Sequence, residues 1–120
     1  MFSHVSNESF LPEETFFAGF SMGAGLSILA GGRLPFSLGG IVAMSGFVKY
    51  SELFVSNITK ESLNTPILII QGARDKIVTP DKAEKTVQLL SDLGYNVRYE
   101  LYDAGHKAVS YTHLTLPTKA

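Results

Sequence analysis

Gly19-Phe20-Ser21-Met22-Gly23 follows the pattern Gly-x-Ser-x-Gly, the signature of a nucleophile elbow. In an elbow the serine sits on a sharp strand-to-helix turn, and its hydroxyl projects above the sheet edge. Flanking glycines leave room for strand and helix to pass closely, and the helix aims its N–H groups at the site. A serine hydroxyl is weakly nucleophilic until a base takes its proton and a carboxylate orients that base. Behind an elbow these partners follow in the order Ser, Asp or Glu, His. Asp75, in Gln71-Gly72-Ala73-Arg74-Asp75, and His106, in Asp103-Ala104-Gly105-His106, satisfy that order. The chemistry would be acyl transfer through a serine ester. Other candidates fit less well. His4 precedes the serine, Asp81 suits a helix N-terminus, and Asp103 suits an Asx turn ahead of Gly105.

The elements that must position these residues are legible in outline. Thr15 to Phe20 is short, aromatic and β-prone, as in a strand buried on both faces. Met22 to Ala30 reads as a helix of small and straight-chained residues, with Gly31-Gly32 as its stop signal. Gly40 to Ser45 is a second buried strand, and residues Phe47 to Leu63 read as a loop with short helical pieces. Ile67 to Gln71 is a third strand. Thr79 as N-cap and Pro80 at the first helical position open a helix that runs to about Leu93. Ala83, Val87, Leu90 and Leu93 form its apolar face, and Gly94 is its C-cap. Tyr95 to Tyr102 alternates as a fourth strand. This order predicts an α/β fold, a parallel sheet of about four strands with flanking helices, of the layout in which the sheet is covered on both faces. Asp75 and His106 then fall at the C-terminal ends of strands, the edge where such sheets collect ligands and catalytic groups.

Composition narrows the function classes. The chain has 120 residues, the size of one domain, 45% of them hydrophobic and 18% charged, as in a folded core. Ten Lys and Arg against eleven Asp and Glu give a net charge of −1, so no basic surplus points to nucleic acid. No cysteine is present, which excludes disulfides, thiolate nucleophiles and Cys-type zinc sites. No Lys or Arg precedes Arg33, so the start lacks the basic region of a signal peptide. The longest apolar run, Ile67 to Ile70, is too short to span a bilayer. The oligomeric state stays open.

Gly19 to Gly23, Met44-Ser45-Gly46-Phe47, Pro66 to Pro80 and Gly105-His106 resemble the phospholipase/carboxylesterase family. This is the acyl-protein-thioesterase-like branch of the α/β-hydrolases. The likeness covers about residues 12 to 108. It implies a partial α/β-hydrolase fold and a cytoplasmic esterase or thioesterase needing no cofactor or metal. Its substrate would be a small-molecule ester or thioester, and Ser21, Asp75 and His106 its triad. The backbone N–H of Met22 would be one oxyanion donor; the other comes, in relatives, from a loop after an earlier strand. Two departures stand out. Gln71 replaces the His that relatives often carry there, and Ala24 follows Gly23 where relatives often have Gly. A prolyl-oligopeptidase-like serine peptidase shares the elbow and triad order, and a non-catalytic α/β-hydrolase-like binding protein shares the fold.

The resemblance implies that residues 1–108 are the C-terminal part of such a domain, without the N-terminal half of the sheet or the last helix. Residues 109–120, from Val109-Ser110-Tyr111 onward, resemble a translated sequencing adapter rather than the family. His113 is accordingly set aside. The isolated chain is expected to be inactive or poorly folded, with an unpaired strand edge and a partly bare sheet face.

Overall fold

A computed structural model of the chain describes residues 11–105. His4, His106, His113 and residues 109–120, on which the adapter expectation falls, lie outside that range. Four parallel strands stand in sequence order: β1 (Phe16–Phe20), β2 (Gly40–Met44), β3 (Ile67–Gly72) and β4 (Val97–Tyr102). The connections carry α1 (Met22–Gly32), α2 (Ser51–Asn57) and α3 (Pro80–Leu93). Register runs Phe17 to Ile41 to Ile67 to Val97, and two residues on, Gly19 to Ala43 to Ile69 to Tyr99. Side chains alternate along a strand, so these rows share one face.

That face holds the core. Ile41, Ala43, Ile67 and Ile69 pack in one cluster with Ala24 and Ile28 of α1, Phe54 of α2, and Ala83 and Leu90 of α3. All three helices therefore lie on the same side. Strands in sequence order joined by right-handed crossovers require it, because each connection returns across the same face. The expected flanking helices are present, and among the described residues they all stand on one face of the sheet. The other face carries Phe16, Val42, Met44, Leu68 and Ile70. Phe16, at 62% exposed, is its most open large apolar residue, whereas Ile70 is buried.

The first helix ends at Gly31-Gly32, but the pair forms its last two residues, inside the helix and buried, instead of following it. A Cβ on Gly31 would meet Ile41 Cδ1 at 2.4 Å, and one on Gly32 would meet Phe54 Cε1 at 2.6 Å. The pair is small so that α1 can seat against β2 and α2. At α3 the expectations hold more closely. Pro80 opens the helix and Gly94, with φ of 103°, closes it. Thr79 occupies the N-cap position, but its side chain makes no capping hydrogen bond. Tyr95, predicted as strand, instead stacks on Phe54 with ring centroids 6.2 Å apart and shares a 2.8 Å hydrogen bond with the Ser62 hydroxyl.

Candidate active site

Ser21 occupies the turn between β1 and α1, with φ of 58° and ψ of −118°. A positive φ on a non-glycine residue costs about 1–3 kcal/mol and persists only where its surroundings hold it. Here they do. The Ser21 N–H donates to Met44 O at 2.8 Å, and its carbonyl accepts from Ala24 N–H at 3.0 Å, the first turn of α1. A Cβ on Gly19 would lie 2.1 Å from Gly23 O, so strand and helix cross at backbone contact. Gly23 differs, since a Cβ there would meet nothing within 4 Å. Met22 is the first residue of α1. Its N–H therefore belongs to the turn whose donors have no carbonyl within the helix.

The adjacent strand builds a matching turn. Ser45 follows β2 as Ser21 follows β1, and it too has a positive φ, 55°. Ser45 is fully buried, so its hydroxyl cannot reach a substrate, whereas Ser21 keeps partial access. Gly46 then lets the elbow through, since a Cβ there would stand 2.2 Å from Ser21 O and 2.5 Å from Ala24 Cβ. Ala24, one of the two departures from the family pattern, fills the space above Gly46. In the sequence Ser45 reads as the end of the second strand and Gly46 enters only through the resemblance; their role is visible only once β1 and β2 are paired.

Asp75 lies beyond the C-terminal end of β3 and is 3% exposed. Its Oδ1 accepts hydrogen bonds from the N–H groups of Ile77 and Val78, both at 2.9 Å. The loop that carries it is braced from beneath. Gln71 Nε2 donates to Val78 O at 2.6 Å and to Gly72 O at 3.1 Å, tying together both ends of the segment around Asp75. Gln71 thus has a structural use in this chain, and nothing short of the folded loop would reveal it.

Two backbone bonds draw the ends of β3 and β4 together. The Ala73 N–H donates to Tyr102 O at 2.7 Å, and the Arg74 N–H to Ala104 O at 3.1 Å. The chain therefore reaches Gly105 alongside the Asp75 loop. His106, the next residue, lies outside the described range. The weaker candidates are otherwise employed. Asp103 pairs with Arg74 at 2.9 Å on the surface. Asp81 is fully exposed in the first turn of α3, and its pKa is lowered, chiefly by a hydrogen bond from the Thr79 side chain.

A cavity of about 550 Å³ opens beside Ser21. Its walls are largely apolar: Met22, Leu26 and Leu29 from α1, Phe47 and Val48 from the segment after β2, and Ile77 from the Asp75 loop. This size and character suit a small organic ligand.

A parallel sheet ending in an elbow of this geometry is an α/β-hydrolase fold. Residues 3–115 match the phospholipase/carboxylesterase family, and the chain belongs to that family. It is 34% identical over 102 residues to acyl-protein thioesterase 1 of Gibberella zeae, covering 82% of this chain and 43% of that protein. A probable inactive carboxylesterase of Oryza sativa subsp. japonica is 29% identical over 101 residues, covering 83% of this chain and 41% of that one. Among solved structures, SOBER1 of Arabidopsis thaliana superposes with a TM-score of 0.84 at 26% identity, covering 94% of this chain and 56% of that one. The chain therefore spans well under half the length of these curated relatives. No helix among the described residues is long and apolar enough to cross a membrane.

Proposed function

We propose that this chain carries the catalytic centre of a cytoplasmic serine hydrolase that cleaves carboxylic esters or thioesters without a cofactor. Ser21 Oγ attacks the carbonyl carbon while His106 accepts its proton, and Asp75 orients the imidazole and offsets its charge. The tetrahedral oxyanion takes a hydrogen bond from Met22 N–H at the start of α1. Collapse expels the alcohol or thiol, which takes the proton from His106 and leaves an ester on Ser21. Water, deprotonated by the same histidine, then releases the acid. The observation that carries this reading is the backbone of Ser21, held at positive φ between a parallel strand and a helix. Asp75, beyond the end of β3 with Oδ1 fixed by two N–H groups, supports it.

The test is hydrolysis of p-nitrophenyl acetate by the protein made from the complete reading frame containing this sequence. Ser21→Ala is expected to remove at least about 10³-fold of the rate. Asp75→Asn is expected to lower it by about 10²- to 10⁴-fold with the fold intact, since the imidazole loses its orienting charge. A Ser21→Ala protein as active as the parent would refute the assignment. A parent that folds but neither hydrolyses the ester nor reacts with a serine-directed phosphonate would favour the non-catalytic binding reading.

A further inference from the structure

The cavity beside Ser21 is apolar on its walls, yet its charged lining residues carry a single sign. Lys49, from the segment after β2, and Lys82, from the first turn of α3, both line it, and among the described residues no Asp or Glu does. The two lysines approach from different elements. Lys82 Nζ stands 5.0 Å from the centroid of the Phe47 ring, and Lys49 Nζ stands 5.6 Å from that of Tyr50. Phe47 and Tyr50 are themselves lining residues, so both ammonium groups are held by aromatic faces at the cavity. Among the described residues neither lysine has a carboxylate within ion-pair distance; those pairs join Arg74 to Asp103 and Arg98 to Glu100. Asp81, beside Lys82 in sequence, feels that lysine's charge as one of its smaller influences, but it is fully exposed and does not line the cavity.

The helix dipole does not account for Lys82. A cation in the first turn of a helix opposes the macrodipole, and acidic residues are preferred there. An aliphatic stem along an apolar wall with its charge at the mouth is the usual way for lysine to cover such a surface. Two such stems leave the cavity with an apolar interior and a cationic rim. Neutral esters would fill the interior but offer no anion to the cationic rim.

We infer that this site selects amphiphilic substrates, esters or thioesters whose apolar portion carries an anionic group, a carboxylate or a phosphate or sulfate oxyanion. The apolar portion occupies the space between α1 and Phe47, and the anion sits between Lys49 and Lys82. This rests on the cavity's being the substrate site of the proposed hydrolase. Each exposed ion pair contributes modestly and is screened by salt. Together the two lysines should favour the anion by about three- to tenfold at low ionic strength.

The experiment separates binding from turnover. Ser21→Ala protein is titrated with hexyl sulfate and, in parallel, with 1-hexanol, followed by amide chemical shifts at low and high salt. Hexyl sulfate is expected to bind several-fold more tightly, shifting resonances of Phe47 to Tyr50 and of the first turn of α3. Lys49→Met with Lys82→Met should remove that preference while leaving 1-hexanol affinity unchanged, and added salt should weaken it in the parent. Equal affinities for the two ligands, or a preference that survives the double substitution, would overturn the inference. Anion-selective binding in a protein whose Ser21 form hydrolyses no ester would overturn the catalytic reading and leave the anion site standing.

Discussion

Ser21 and its two glycines have the same standing in the motif but not in the folded chain. Gly19 is required by contact, because any Cβ there enters the backbone of Gly23. Gly23 faces open space and lies inside α1, where alanine is intrinsically favoured by about 1 kcal/mol. Gly19→Ala is therefore expected to destabilise the fold by about 1–3 kcal/mol or more in urea unfolding. Gly23→Ala should be neutral or mildly stabilising by the same measurement. Equal losses at both positions would show that the crossing is not as close as the geometry places it. The motif itself was readable because its constraint is local, a turn of five residues. The Gln71 brace, the buried Ser45 and the passage over Gly46 were not, because each depends on a partner from another strand or loop.

At the scale of elements, Tyr95 shows how the chain fixes α3 against the segment ahead of β3. Its ring stacks on Phe54 of α2, and its hydroxyl pairs with Ser62. Burial raises the Tyr95 phenol above its ordinary value of 10.0, and burial followed by the charge of Glu84 raises Tyr99 in the same direction. The folded state thus holds these protons more tightly than the unfolded chain does. The stability they contribute is complete below about pH 10 and is lost as pH rises through the folded-state values. Tyr95→Phe should cost about 0.5–1.5 kcal/mol at neutral pH for the lost hydrogen bond. It should also make the alkaline decline shallower, measured as melting temperature against pH between about 9 and 11. An unchanged alkaline slope would contradict the burial assigned to this group. Hydrophobic pattern revealed α3 and its Gly94 cap, since period and punctuation agree there. At Gly31-Gly32 the same punctuation marked the end of α1 to within two residues but not the second use of the pair, whose small size admits Ile41 and Phe54.

For the whole molecule, the decisive feature is a sheet whose strands follow chain order with every described helix on one face. Strand content and order were legible from four short β-prone runs. The one-sided placement was not, because it follows from which strands pair and from the hand of the crossovers. β3 lies between β2 and β4 and is buried along almost its whole length, whereas β1 pairs only with β2 among the described residues. Hydrogen exchange should accordingly be slowest in the amides of Ile67 to Gln71 and faster in Phe16 to Ala18. The reverse order would place the stable centre of the sheet elsewhere.

All of these scales converge on the reactivity of one hydroxyl, which a fluorophosphonate probe reads directly because it modifies activated serines. The protein from the complete reading frame is treated with the probe, digested, and the modified peptide identified by mass spectrometry. Modification is expected on the peptide containing Ser21 alone, absent in Ser21→Ala and strongly slowed in Asp75→Asn. A folded protein left unmodified, or one still modified after Ser21→Ala, would contradict the assignment of Ser21 as nucleophile.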